Sequence, residues 1–112
     1  MGRTIHYRTK QAVKLEELVL LKRIEGMHNK ARRWKKEGIK LWLADAVDPF
    51  PRGTLWGFTK VDDDRDGRLV LRAVEEMSKA TPRLTWLVYD EGGLTKGRKL
   101  VLKRGNAIDA QL

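Results

Sequence analysis

Carboxylates are the side chains whose spacing most suggests chemistry. Asp62, Asp64, Asp66 and Gly67 stand at the first, third, fifth and sixth positions of a calcium-binding loop, and apolar Leu69 fits the eighth. The twelfth position, where a bidentate Glu closes the coordination sphere, is Ala73, and Arg65 and Arg68 dilute the negative field. The same carboxylates suit a helix N-terminus with no metal at all, with Asp64 or Asp66 as N-cap and the others favoured by the helix dipole. Asp45, Asp48 and Asp90 also fall at or just beyond expected strand ends. Two such groups sharing Mg²⁺ would be the chemistry of a metal-dependent nuclease. The strands that carry Asp45 and Asp62 are expected to run antiparallel, which puts the two at opposite ends of a sheet and weakens a shared site. Ser78 is the only serine and lacks a nucleophile-elbow context. There is no cysteine, and the two histidines are far apart, so Ser, Cys and zinc chemistry are all disfavoured. The reading that needs no cofactor therefore stands first, with Ca²⁺ or Mg²⁺ as the alternative.

Aromatic and basic side chains make the second constellation. Trp56, Phe58 and Lys60 alternate along one expected strand, Lys40 and Trp42 along another, and His6 and Arg8 along the first. Strand parity places all of them on one face of a sheet if the other face meets the helices. Aromatics interleaved with cations on a sheet are how RNA-recognition-motif domains stack unpaired bases. Trp56-Gly57-Phe58 is similar to the aromatic-Gly-aromatic centre of that family's third-strand motif, and the glycine is expected to let a ligand approach closely. The chain departs from the motif in three places. The basic-Gly start is displaced to Arg52-Gly53, the last aromatic is replaced by Val61, and His6 stands where the first strand should carry an aromatic. Membership of that family is not assigned. The alternative for Trp42, Trp56 and Phe58 is burial under an extra strand, the C-terminal tail or a second subunit, because so apolar a cluster is rarely left exposed.

Two basic segments could follow a phosphate backbone. On a helix, Lys22, Asn29, Lys30, Arg33 and Lys36 form one polar stripe. Cations near a helix C-terminus are also favoured without any ligand. The turn from Gly92 to Lys99 sets glycine amides beside three cations. Its spacing matches neither Walker nor dinucleotide loops, so it reads as a hairpin turn.

The elements that must hold these residues follow from periodicity. Arg3–Arg8, Ile39–Val47, Thr54–Val61, Leu84–Asp90 and Lys99–Arg104 read as strands, with Ile39, Leu41 and Leu43 inward and Lys40, Trp42 and Ala44 outward on the second. Val13, Leu20, Ile24, Met27, Ala31 and Trp34 mark one face of a helix running from Lys10 to about Glu37. Such a helix would be about 40 Å long and would overhang the sheet. Leu15, Leu18, Val19 and Leu21 widen that face, which implies deep burial or contact with another subunit. Val70, Ala73, Val74 and Met77 mark a second helix over Gly67–Ala80, ended by Thr81-Pro82. The order β-α-β-β-α-β plus an extra C-terminal strand predicts an α+β, ferredoxin-like domain, an antiparallel sheet with two helices on one face.

Length and charge bound the rest. A chain of 112 residues is one domain, 1–112, with residues 105–112 expected to fray. The net charge is +9. It divides into twelve Lys/Arg against four acids in residues 1–40, seven against ten in 41–95, and five against one in 96–112. Two basic ends thus flank an acidic middle, which either builds a phosphate-binding surface or neutralises itself internally. No apolar run is long enough to span a bilayer, so a cytoplasmic protein without a membrane partner is expected. Non-catalytic binding of RNA or single-stranded DNA is the leading functional expectation. It rests on Arg8, Lys40, Trp42, Trp56, Phe58 and Lys60 with Lys30, Arg33 and Lys36. A homodimer with an aromatic sheet face or first-helix face buried is the second, and the nuclease the third.

Overall fold

A computed structural model describes residues 3–31, 37–91 and 99–108. The fold is α+β: strands β1 (Arg3–Thr9), β2 (Trp42–Leu43), β3 (Leu55–Val61), β4 (Thr85–Asp90), β5 (Lys99–Lys103) and β6 (Asn106–Ile108), with helices α1 (Leu15–Lys30) and α2 (Asp64–Ala80). The strands form one six-stranded sheet in the order β2-β3-β1-β4-β5-β6, every neighbouring pair antiparallel. That is one strand more than the sequence pattern implies. The addition is β6, in place of part of the expected frayed tail. A two-residue turn makes it: Arg104 and Gly105 both have positive φ, at 54° and 82°, which is the twist a tight hairpin needs, and Lys103 faces Asn106 across it. Gly105 N–H then donates to Ser78 Oγ at 3.1 Å, tying the turn to α2.

Alternation dictates which strand residues enter the core. Ile5 and Tyr7 on β1, Leu55 and Val61 on β3, Trp86 and Val88 on β4, and Leu102 on β5 are all buried in one cluster. The helices supply the other side of that cluster. From α2 come Val70, Ala73, Val74 and Met77, all fully buried and at helical spacing, so its inward stripe is as the periodicity predicts. The start of α2 is not. The helix begins at Asp64, and Asp63 is the N-cap, its Oδ1 accepting from Asp66 N–H at 2.9 Å.

α1 corrects the sequence reading more deeply. It starts at Leu15, where Lys14 N–H donates to Glu17 Oε1 at 2.8 Å, and its 16 residues are about 24 Å long. Residues 32–36, which include Arg33, Trp34 and Lys36, lie outside the described residues, as does the turn at 92–98. Leu21 and Ile24 are its buried side chains, whereas Met27, placed on the inward face by periodicity, is 56% exposed. Apolar residues occur all round the first half of α1, so spacing alone admits more than one inward face. Packing against α2 selects the one through Leu21.

The second strand is also shorter than its alternation implies. Leu41 is buried, but Leu43 is exposed and Ala44 is buried. Residues 38–41 do not join a ladder: Tyr7 and Thr59 bind the backbone of Lys40 and Gly38, and α1 side chains hold Ile39 and Leu41. Asn29 donates to Ile39 O at 2.7 Å and accepts from Ile39 N–H at 2.8 Å. Lys22 Nζ donates to Leu41 O at 2.7 Å, and Glu25 Oε2 accepts from Leu41 N–H at 2.6 Å. Leu43 is the last β2 residue at the sheet edge before the chain turns, with Asp45 N–H donating to Asp48 Oδ2 at 2.9 Å.

Candidate nucleic-acid interface

The sheet face turned away from the helices carries two rows of side chains, fixed by strand register. One row crosses Trp42, Trp56, Arg8, Leu87 and Val101; the next crosses Phe58, His6, Tyr89 and Lys99. Residues two apart on a strand put these rows about 7 Å from each other. Lys60, exposed, follows Phe58 on the same face. The parity that assigned His6, Arg8, Trp56, Phe58 and Lys60 to this face is correct, and Trp42 joins them through its pairing with Trp56.

Within the rows the aromatic rings stack on one another. Trp42 lies over Trp56 with centroids 4.9 Å apart and over Phe58 at 5.5 Å, the planes 28° apart in both pairs. Phe50 tilts against Trp56 at 5.4 Å, and His6 tilts against Phe58 at 6.3 Å and Tyr89 at 6.2 Å. These separations fall in the range where aromatic pairs add attraction beyond area burial. Cations cap the cluster: Arg8 Cζ is 5.4 Å from the Phe50 centroid, and Lys40 Nζ is 5.3 Å from the Trp42 centroid. Trp42, Trp56 and Phe58 are each half-buried, and what covers them is chiefly one another and Phe50. β5 and β6 extend the sheet sideways beyond β4, so the extra strands do not lie over the face.

A groove of about 460 Å³ opens beside this cluster, with Pro49 and Phe50 as one wall and His6, Phe58, Leu87 and Tyr89 along its floor. Lys99 stands at its far side. His6 Nε2 lies 3.3 Å from Glu91 Oε2, and that contact, together with the Thr4 N–H, holds the exposed Glu91 carboxyl below the usual range. Sequence reasoning missed Leu87, Tyr89 and Lys99, although the alternation in LTWLVYD marks the first two. Phe50 gives no local signal, because a loop between two prolines has no parity to follow.

Gly57 is used differently from the expectation. Its helix-facing side meets the carbonyl oxygen of Lys40 and the ring of Tyr7, so the close approach it allows is made by this chain from within. Tyr7 Oη shares a hydrogen bond with Thr59 Oγ1 at 2.8 Å and accepts from Lys40 N–H at 3.2 Å, while Thr59 Oγ1 donates to Gly38 O at 3.2 Å. Burial pushes the Tyr7 phenol up to about 12. This buried polar node seats the segment that carries Lys40 and Trp42 beneath the aromatic rows.

The other site candidates among the described residues are not brought to this face. Lys30 is exposed at the end of α1, on the helix layer. Lys22 and Asn29 hold the backbone of residues 39–41 and so do not form a free phosphate stripe. The acidic stretch winds into the first turn of α2 instead of wrapping as a calcium loop. Asp64 pairs with Arg3 Nη2, and Asp66 is buried, 3.8 Å from Arg65. Arg3 also donates to the fully buried Asp90 at 2.9 Å, and although burial opposes its charge, Asp90 and Asp64 raise its pKa. Asp45 and Asp62 lie beyond opposite ends of β3. Among the described residues no group of three or more His, Asp or Glu is arranged to hold a metal ion, and no helix is long and apolar enough to cross a membrane. Comparison with protein-family models, curated proteins and solved structures finds no match to this chain.

Proposed function

We propose that the chain binds single-stranded RNA or DNA without catalysis, through the aromatic rows of its open sheet face. The observation that carries this reading is the stacked set Trp42, Trp56 and Phe58, left half-exposed on a sheet face and bordered by Arg8, Lys40, Lys60 and Lys99. Unpaired bases stack on such rings, each stack contributing about 1–3 kcal/mol, while the surrounding cations neutralise phosphates. A cytoplasmic setting fits a chain without cysteine. The fold is read here as ferredoxin-like, with β5 and β6 appended; its support is the β-α-β-β-α-β chain order and the place of β1 between β3 and β4. That class of fold does not choose a function, so the reading rests on the site.

The test is a titration of labelled single-stranded oligonucleotide, followed by tryptophan fluorescence at several salt concentrations. If four cations each displace one counterion, the logarithm of affinity falls against that of salt with a slope near about −3. Trp56→Ala is expected to weaken binding by about 10-fold or more, and Trp56→Phe to retain most of it, because a ring remains. Trp56→Phe also removes an indole Nε1 that is buried with no partner among the described residues, so the fold tolerates it. No binding at low salt, with the tryptophans shielded from quencher in a concentration-independent oligomer, overturns the reading and assigns the face to a second subunit.

A further inference from the structure

The outer side of α1 presents a stripe directly opposite its buried Leu21. At 100° per residue, Leu15, Gly26, Val19, Lys30, Arg23, Glu16 and Met27 fall in that order within one third of the helix circumference. Every one of them is exposed. Leu15, Val19 and Met27 are 74%, 52% and 56% exposed, a costly arrangement for three large apolar residues on one side of one helix. Gly26 lies within the same stripe, next to Leu15 in the angular order. Among the described residues a Cβ placed on Gly26 would meet nothing within 4 Å, so no contact there requires a glycine. A mid-helix glycine weakens the helix relative to alanine, and its usual compensation is the close approach of another backbone.

Charge identifies the occupant. Glu16 lies near the N-terminal end of the stripe, Arg23 past its middle and Lys30 at the C-terminal end. Two copies laid parallel would oppose like charges at each of these positions. Two copies laid antiparallel about a two-fold axis level with Leu21 set Leu15 at the height of the second copy's Met27, one on each flank of the seam, and Val19 opposite the aliphatic stem of its Arg23. Glu16 then lies opposite the second copy's Gly26, within reach of its Arg23 and Lys30. The stripe is therefore complementary to itself in one orientation, which is the requirement of an isologous dimer. We propose that α1 is the interface of an antiparallel homodimer, its two-fold axis level with Leu21 and Gly26 facing the second copy's Glu16, on the layer opposite the sheet face and independent of what that face binds. A single helix pair of about 24 Å is a small contact, so the dimer is a concentration-dependent one.

Charge reversal tests this without relying on any one variant's stability. Sedimentation equilibrium of the full chain is expected to show reversible dimerisation in the micromolar range. Glu16→Lys alone and Arg23→Glu alone are each expected to weaken self-association by about 10-fold or more, since each opposes like charges twice across the axis. An equimolar mixture of the two variants restores both opposite-charge pairs between positions 16 and 23 and is expected to associate more tightly than either variant alone. Gly26→Leu is expected to be monomeric while melting no lower than the parent, because leucine favours the helix and the space above Gly26 is open in the single subunit. A parent chain that stays monomeric at high micromolar concentration overturns the proposal. So does a dimer whose variants fail to rescue one another on mixing.

Discussion

The backbone carbonyl of Lys40 occupies the space that a side chain on Gly57 would need. A Cβ there would overlap that oxygen and stand 2.7 Å from Tyr7 Cε1. Gly57 is therefore a packing glycine whose role is to let residues 38–41 settle against β3 and deliver Trp42 to the aromatic rows. Gly57→Ala is expected to destabilise the fold by about 1–3 kcal/mol through overpacking. It is also expected to separate Trp42 from Trp56, seen as a change in tryptophan fluorescence under conditions where the variant is still folded. An unchanged denaturation midpoint would show that the Lys40 segment does not need this seat.

Asn29 separates structural from phosphate-binding roles. Its amide makes both available hydrogen bonds to the Ile39 backbone. Asn29→Ala should cost about 1–3 kcal/mol, because two partly buried backbone groups lose their partner. Oligonucleotide affinity per folded molecule should stay within about 2-fold of the parent, since no phosphate contact is removed. Lys60→Ala should behave in the opposite way, with little change in stability and a shallower salt dependence of binding.

Tyr7 gives the fold an alkaline limit. Its phenol ionises near 12 in the folded chain, against an ordinary value of 10.0, because burial disfavours the phenolate. A folded pKa raised above the unfolded one means that the associated stability is complete below pH 10.0. It is lost as pH rises toward about 12. Denaturation midpoints should fall across that window, and Tyr7→Phe should flatten the fall while lowering stability at neutral pH, where Lys40 N–H loses its acceptor. A spectrophotometric titration should show the Tyr7 phenol ionising well above the ordinary value of 10.0.

Glu17 acts on the acid side. The Arg83 guanidinium, bonded to its carboxylate at 2.6 Å and 3.2 Å, lowers the Glu17 pKa from 4.5; burial opposes this, and the Lys14 N–H assists. A lowered folded pKa contributes stability that is present above 4.5 and is lost as pH falls through the folded value. Arg83→Met is therefore expected to raise the pH at which acid unfolding begins. The two proteins should converge in stability once the carboxyl is protonated in both. Equal acid transitions would show that the pair contributes nothing.

The parts of this molecule that the sequence makes legible are those whose burial is set by strand parity or by one clean helical stripe. β1, β3 and β4 alternate, and α2 carries one apolar stripe, so their faces follow from spacing alone. The other parts depend on partners distant in sequence. Residues 39–41 alternate like a strand, yet their backbone groups are taken by side chains, those of Ile39 and Leu41 by Asn29, Lys22 and Glu25 and the N–H of Lys40 by Tyr7. α1 has too many apolar positions for spacing to choose among them. The open face was found through Trp56 and Phe58, but the wall of its groove comes from Phe50 in an irregular loop. Asp62, Asp64 and Asp66 have a spacing that fits both a ligand loop and a helix start, and the cap at Asp63 and the ion pair from Arg3 to Asp64 accompany the helix start in this stretch.

The lengths of the outermost strands bear on how the protein survives at high concentration. An open antiparallel sheet has two borders where backbone donors and acceptors await another chain, and those borders are templates for fibril growth. Here one border is β2, with two residues, and the other is β6, with three. The seven-residue β1 and the six-residue β4 are flanked on both sides, whereas the outer side of β3 pairs with β2 only at Leu55 and Trp56 and is covered beyond them by residues 38–40, which meet Gly57 and Thr59. Abbreviated margins leave an incoming strand little to zip onto, so the molecule can keep an apolar sheet surface open without inviting edge-to-edge polymerisation.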